Sequence, residues 1–575
     1  MNHKTDTTEK RNTLSLLIQA LCAAWLLCSH IFGGAVYIGD VAHSARVSLL
    51  LYLGMLLLGT ALFFLLGQWK PGMLRLSLGV CCFLTAIFWA MAAGNHWLTL
   101  GLGAMTLGGC LMFRDRFVIW EPKLRTMRRS YWICGITLAL FIGAVTVCRY
   151  LTFCAPGFDF GIFAQMFASM KRTGLPVTTY ERSKVLSHFN VHFSPIYYLM
   201  LPFYWLFPNP ATLQIEQALV VAAGLWPLYL LCKRHGLSNG ATCLLAGLYL
   251  LFPALNGGCF YDLHENCFLT VCLLFVLYGM DANKNWILWL FAGLTLCIKE
   301  DAGIYLAFVG LYYLLSRLHP KKGVALLGVS VLVFFLTTSY VFAHGDGVIQ
   351  SRFSNLVPGK DDGMLAVVRT ALVHPGYLLK ACFTAEKVQY LLFMLLPFGT
   401  LLLTRKHPAR YLLLGPMLLL NVLPDYKYQY TIDFQYNFGS TALLFYFAVL
   451  QLGELNRRRQ WTNVMAGLLA CTVLFCGTKL GKLQYVFNYL AQPQRYAQME
   501  QALKQIPADA SVAASSGLVA HLAEHEALYP DEEVGIRTDY VALDLRGKRE
   551  APELEGYTIV YESVDLAIYA RQTAD

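Results

Sequence analysis

Four short polar stretches interrupt a very apolar chain: Phe158-Asp159-Phe160-Gly161, His192-Phe193-Ser194-Pro195, Tyr261-Asp262-Leu263-His264-Glu265-Asn266 and Lys299-Glu300-Asp301. A carboxylate in such a place takes a proton from a hydroxyl or holds a divalent cation. A lysine beside carboxylates can hold a phosphate while the acids steer a hydroxyl or a metal. An ionisable group near hydrocarbon costs about 2.5–3.5 kcal/mol on insertion scales. So many in four such places predict a reaction or transport site. Each stretch also has a plainer explanation. Asp159 could cap a following helix. His188 and His192, four apart, stack on a helical turn as metal ligands do, or are two interfacial histidines ending at Pro195. Asp262, His264 and Glu265 could form a polar hairpin between two spans. Lys299 and Glu300 could simply neutralise each other.

The elements that position these residues are membrane helices. The 575 residues are 57% hydrophobic and only 14% charged, with a mean hydropathy of +0.50. Soluble domains carry about 25% charged residues. The 17 cysteines lie mostly inside apolar runs and form no Cys-x-x-Cys pair, so they read as packing residues. A span needs about 20 apolar residues, and about 15 candidate spans fit between residues 13 and 479, several of them short. The basic runs at Arg114–Arg129, Lys233/Arg234, Arg317–Lys322, Arg405–Arg410 and Arg457–Arg459 orient them, provided that the proline-rich stretch 194–207 does not cross. The N-terminus is then cytoplasmic, the C-terminus extracytoplasmic, and all four polar stretches face outward. From Lys482 to Asp575 the chain carries 8 Lys+Arg against 15 Asp+Glu, a net −7 within an overall +10. The excess of positive charge therefore lies in the membrane part and faces the anionic cytoplasmic leaflet; it carries no nucleic-acid signature.

Phe160, Phe163, Phe167 and Met170 recur at helical spacing with Gln165, Ser169 and Arg172 opposite, which predicts an amphipathic helix lying in the membrane surface. A second outer loop, 344–387, carries a helix from Gly363 to Cys382. Beyond Lys482 the pattern changes to a helix over Gln494–Ile506, strands at Ser511–Ala514, Tyr540–Leu545, Tyr557–Glu562 and Leu566–Ala570, and a serine-capped helix over Ser516–Glu524. The expected division is a four-span block over 1–113, a membrane core over 131–479 with outer loops 153–210 and 344–387, and a small α/β extracytoplasmic domain over 480–575. Ala104-x-x-x-Gly108 predicts a small-residue helix contact. His521-Leu522-Ala523-Glu524-His525 has the spelling of inverted zinc peptidases, but no downstream ligand helix is apparent.

The order of the motifs from Phe158 through Lys299-Glu300-Asp301-Ala302-Gly303, with Ile506-Pro507-Ala508 and His521-Leu522-Ala523 in the tail, resembles the prokaryotic membrane family called domain of unknown function 2079, over about residues 145–545. Gln435, before Tyr436, departs from a histidine associated with that place in the family. The family in turn is similar to membrane glycosyltransferases of the C-type fold, such as protein mannosyltransferases and aminoarabinose transferases. That resemblance implies an all-α polytopic fold. It also implies a sugar donor of the polyprenyl-phosphate kind, used on the outer face toward an envelope glycan or protein acceptor. It implies Asp159, Asp262 and Lys299 as catalytic residues. His192, His264, Glu265, Glu300 and Asp301 would complete the substrate cavity, with Asp159, His192 and Asp262 able to hold a divalent cation. Two other classes remain open. A transporter or flippase of lipid-linked or anionic cargo would use the same charges. An envelope scaffold would not need them.

Overall fold

The computed structural model describes residues 2–33, 47–345, 352–357, 365–532, 537–547 and 550–572, with the side chains of 2–12 and 365 excepted. Eight helices are long and apolar enough to cross a membrane: Thr13–Phe32, Leu49–Trp69, Pro71–Ala93, Leu124–Leu151, Pro210–Arg234, Asn239–Phe260, Pro320–His344 and Arg457–Thr478. A 21-residue helix is about 31 Å long, enough for the hydrocarbon layer. Shorter apolar helices, Cys267–Asp281, Asn285–Leu296 and Ala302–Leu315, accompany them. The expectation of about 15 regular spans meets broken geometry further on. Residues 385–402 form a helix to Leu395 and then a 3-10 turn kinked at Gly399, and residues 408–422 are 3-10 and π turns around Gly415-Pro416. Pro397 and Pro416 each remove a backbone donor, and a regular ladder cannot continue through them. Phe438–Leu452 is a 15-residue helix buried almost throughout.

Exposed leucines cover the outer face of Leu49–Trp69, with Leu50 at 85% exposure and Leu57 at 71%. Such a surface is tolerated against lipid but not against water. The leading helices pack on Arg457–Thr478. There the close approach falls at Gly103, where Leu474 sits 2.8 Å from the place a Cβ would take. A Cβ at Gly108 would meet nothing within 4 Å among the described residues. The expected Ala104/Gly108 contact is therefore corrected by one helical face.

The two ends of the bundle differ chemically. At one end the basic loops interlock: Arg234 donates to the Asp281 carbonyl at 3.1 Å, Lys233 to Asn239 at 2.8 Å, Lys322 to Asn283, Arg458 to the Asp115 carbonyl at 2.5 Å, and Arg410 to Glu454. The polar stretches and the C-terminal domain occupy the other end. Residues 194–207 do not form a span: a 3-10 turn, Pro195–Leu199, leads into the six-residue helix Leu201–Leu206.

The loop after Leu124–Leu151 contains the hairpin β1 (Val177–Thr178) and β2 (Leu186–Ser187). The C-terminal domain is a five-stranded sheet of β3 (Val512–Ala514), β4 (Leu528–Pro530), β5 (Tyr540–Asp544), β6 (Tyr557–Glu562) and β7 (Leu566–Arg571), in the order β4-β3-β5-β7-β6. The first three strands are parallel, and β7 runs antiparallel to β5 and β6. The expected helix over 516–524 is a 3-10 segment, Ser516–Leu522, without a serine cap. The Ser515 hydroxyl bonds Asp531 instead.

Candidate functional site

The loop carrying Asp159 is held from both sides. Ile162–Thr173 is helical, as the spacing predicts, but it does not lie open on the membrane surface, because every residue from Ile162 to Met170 is buried. Gln165 shows why. Its amide donates to Thr179 Oγ1 at 2.9 Å and to the His525 carbonyl at 3.1 Å, and its carbonyl accepts from Thr178 Oγ1 at 2.6 Å. The polar side of the helix is thus satisfied by β1 and the C-terminal domain. At Gly161 a Cβ would meet Val519 at 2.6 Å, so only glycine permits this docking.

His521 lies stacked on Tyr150 and Phe153, with ring centroids 4.2 and 3.8 Å away. Its Nδ1 is 2.5 Å from Glu500. Arg546 donates to the carbonyls of Thr152 and Phe153 at 2.5 and 2.6 Å. His525 Nδ1 lies 3.1 Å from the Ala510 carbonyl. These contacts account structurally for both histidines of the zinc-peptidase spelling.

Asp159 itself has φ 68° and ψ −78°, the geometry of a γ-turn that is rare and strained for a residue with a side chain. Its carboxyl is half-buried. Desolvation raises its pKa, while His264 and Lys299 pull in the opposite direction. Asp262 also has a positive φ, 92°. It is fully buried and accepts from Arg149 Nη1 at 2.5 Å and Gln214 Nε2 at 2.8 Å. Burial pushes its pKa up to about 6 against the pull of Arg149 and Gln214.

The hairpin 261–266 is not a solvated turn: Asp262 and Glu265 are 0% exposed and His264 3%. Glu265 joins three groups. Tyr197 Oη donates to Oε2 at 2.5 Å, His264 Nδ1 lies 2.8 Å from Oε2, and Lys299 Nζ lies 2.9 Å from Oε1. The last two contacts lack hydrogen-bond alignment, so Lys299 Nζ keeps its donors unused among the described residues. Despite burial, His264 and Lys299 hold Glu265 well below the usual carboxylate range.

His192 Nδ1 lies 2.9 Å from Glu300 Oε1, and the Phe193 amide donates to Glu300 Oε2 at 3.3 Å. Burial, with Lys299 nearby, lowers His192 to about 4. Burial opposes ionisation of Glu300, but His192 and Lys299 bring it down to about 2. Asp301 Oδ1 is buried without a hydrogen bond among the described residues.

Asp159 feels the charges of His264, Glu265 and Lys299, Asp262 feels that of Asp159, and Asp301 feels those of Lys299, Glu300 and Glu265; His192 joins through Glu300. Asp159, His192 and Asp262 do not gather as a metal-binding trio. No cluster of three His, Cys, Asp or Glu side chains suited to a metal ion occurs among the described residues. Asp262 is already committed to Arg149 and Gln214, and His192 to Glu300.

Several participants escape sequence reasoning. Arg149 ends a span, and an arginine in an apolar run was a usable signal. Arg352 is buried, donates from Nη2 to Tyr436 Oη at 3.4 Å, and lies over the Tyr436 ring at 5.1 Å. Its Nε has no hydrogen bond among the described residues. Tyr197, Gln214 and Glu181 carry no distinguishing spacing; His188, whose spacing from His192 is legible, faces the buried Glu181 at 3.0 Å.

A family model described as "Predicted membrane protein (DUF2079)" matches residues 149–558. The chain belongs to the DUF2079 family. The match takes in all four polar stretches and most of the C-terminal sheet of this DUF2079 protein. No curated protein matches it. Among solved structures it is similar to ArnT from Cupriavidus metallidurans bound to undecaprenyl phosphate, at 13% identity and a TM-score of 0.44, over 76% of this chain and 98% of that one. It is also similar to the arabinofuranosyltransferase AftD from Mycobacteria, at 12% identity and a TM-score of 0.40, over 80% of this chain and 41% of that one.

Proposed function

We propose that this DUF2079 protein is a membrane glycosyltransferase that moves a sugar from a polyprenyl-phosphate donor to an envelope acceptor on the outer face. The observation that carries the reading is Lys299. An ammonium at 1% exposure, its donors unused among the described residues and its charge felt by the half-open Asp159 carboxyl, suits a phosphate leaving group near a proton acceptor.

On this reading the acceptor's hydroxyl oxygen bonds to the anomeric carbon of the donor. The bond from that carbon to the phosphate oxygen breaks, its electron pair passes to the phosphate, and the hydroxyl proton goes to Asp159. A carboxyl whose pKa is raised by desolvation takes that proton better than an ordinary surface aspartate. Lys299, steadied by Glu265, neutralises the departing phosphate. Asp262, locked by Arg149 and Gln214, and His264 set the sugar's position. His192, Glu300 and Asp301 close the cavity. Residues 480–575 hold the Asp159 loop, and the basic loops lie in the cytoplasm. No cluster of side chains suited to a metal occurs among the described residues. A transporter would place its broken helices around a midplane site. The break at Leu396–Leu402 instead packs Gly399 against Leu107, 3.4 Å from its ideal Cβ.

The test is transfer of labelled sugar from an undecaprenyl-phosphate-linked donor by the full-length protein in lipid nanodiscs. Asp159→Asn is expected to lose about 10²–10⁴-fold in rate. Undiminished turnover would remove Asp159 from the chemistry, and no transfer from any such donor would overturn the reading.

A further inference from the structure

A cavity of about 320 Å³ opens beside the polar site and is separate from the carboxylate–lysine cluster. This is within the ~300–1,000 Å³ of small-molecule sites. Tyr428, Tyr430 and Phe434 present rings to it, Glu386 and Lys427 supply charge, and His96 supplies an imidazole. His96 comes from the leading four-span block, where it opens the helix His96–Met112 and packs edge-on against Phe393 at 5.4 Å.

The wall is built firmly. Lys479 is buried, ion-paired with Asp433, and donates to the Ile432 carbonyl at 3.3 Å. Gly257 admits the Ile432 carbonyl where a Cβ would clash at 1.8 Å. Rings then run inward from the cavity. Tyr428 lies 4.5 Å from Phe434 between centroids, and Phe434 lies 4.2 Å from Tyr261. Tyr261 adjoins Asp262 and feels the charge of Asp159.

We propose that this cavity is a carbohydrate subsite that receives the acceptor glycan and leads it past Tyr261 to Asp159. A pyranose has an apolar face of C–H bonds and a rim of hydroxyls. The first packs on aromatic rings, and the second needs donors and acceptors of the kind that His96, Glu386 and Lys427 provide. A lipid tail would leave those three polar groups unmatched, and a purely anionic ligand would meet Glu386. The subsite rests on the transferase reading for its role, though not for its binding, and it gives the four-span block a part in recognition.

The test uses full-length protein in nanodiscs and, as probe, oligosaccharides released by mild acid from the envelope of the cells that make it. Binding is read by saturation-transfer NMR. Tyr428→Ala and the exposed pair His96→Ala/Lys427→Ala are each expected to weaken sugar binding at least tenfold while undecaprenyl-phosphate binding stays unchanged. The exposed pair decides the matter if Tyr428→Ala fails to fold. Absence of sugar binding by the wild type, or full binding by the exposed pair, overturns the subsite. Wild-type binding that the variants lose, in a protein that transfers no sugar, supports the subsite and sinks the transferase. Transfer at wild-type rate and acceptor KM by the exposed pair sinks the subsite alone.

Discussion

Lys299 Nζ lies 2.9 Å from Glu265 Oε1, yet the two atoms are misaligned for a hydrogen bond, and neither makes one with any other described residue. The pair balances charge while leaving both groups able to bond a third. Breaking a buried pair by removing one partner costs about 3–5 kcal/mol. Lys299→Ala is therefore expected to lower the unfolding midpoint sharply in a thermal melt in detergent. Removing the second charge as well, in Lys299→Met/Glu265→Gln, should restore much of the loss. A double variant no more stable than the single would show that the pair is not coupled.

The backbone at Asp159 gives a separate handle. A positive-φ residue with a side chain stores about 1–3 kcal/mol of strain. Asp159→Gly is expected to melt higher than Asp159→Ala, although both lose sugar transfer. Equal melting temperatures would mean that the γ-turn at φ 68° stores no strain.

His192 fixes a pH dependence. Its folded pKa, about 4, lies below the ordinary histidine value of 6.5, so the fold binds fewer protons than the unfolded chain between these values. The linked stability is complete above pH 6.5 and is lost as pH falls toward 4, by roughly 3 kcal/mol. Asp262, raised to about 6, acts oppositely between about pH 4 and 6, because the fold favours its protonated form. The difference between wild type and His192→Gln isolates the histidine. That difference should shrink from pH 7 to pH 4.5 in melts followed by circular dichroism.

The C-terminal domain should control the order of the Asp159 loop. Arg546→Ala removes charge-assisted hydrogen bonds to the carbonyls of Thr152 and Phe153, each worth about 1.5–3 kcal/mol. Hydrogen exchange over residues 153–161 is expected to speed up while β3, β5 and β7 stay protected. Unchanged exchange in the loop would show that the contact holds nothing in place.

Topology has a direct readout. Cys154 is exposed in the loop after Leu124–Leu151. A membrane-impermeant maleimide should label the wild type more than Cys154→Ser in intact cells. A difference that appears only after permeabilisation would put the polar stretches on the cytoplasmic side.

The sequence reveals which residues are expensive to place in a membrane. It does not reveal their pairing. Tyr197 bonds Glu265 across 68 positions, and Arg149 bonds Asp262 across 113, and no periodicity encodes such distances. β3, β5, β6 and β7 are legible from alternation within a residue or two. β4 is three residues long, ends in Pro530 and gives no such pattern. Ile162–Thr173 is legible as a helix, but its burial is not, because what covers Gln165 lies some 360 residues away. The broken segments at 396–402 and 408–422 read as spans by hydropathy because composition does not register a proline's missing donor.

The clasp of His521 and Arg546 on residues 150–153 has a bearing on biogenesis. That loop precedes the partners that hold it by 371 and 394 positions. Its final shape therefore cannot form until those distant segments have been made and have docked, well after the helices in between.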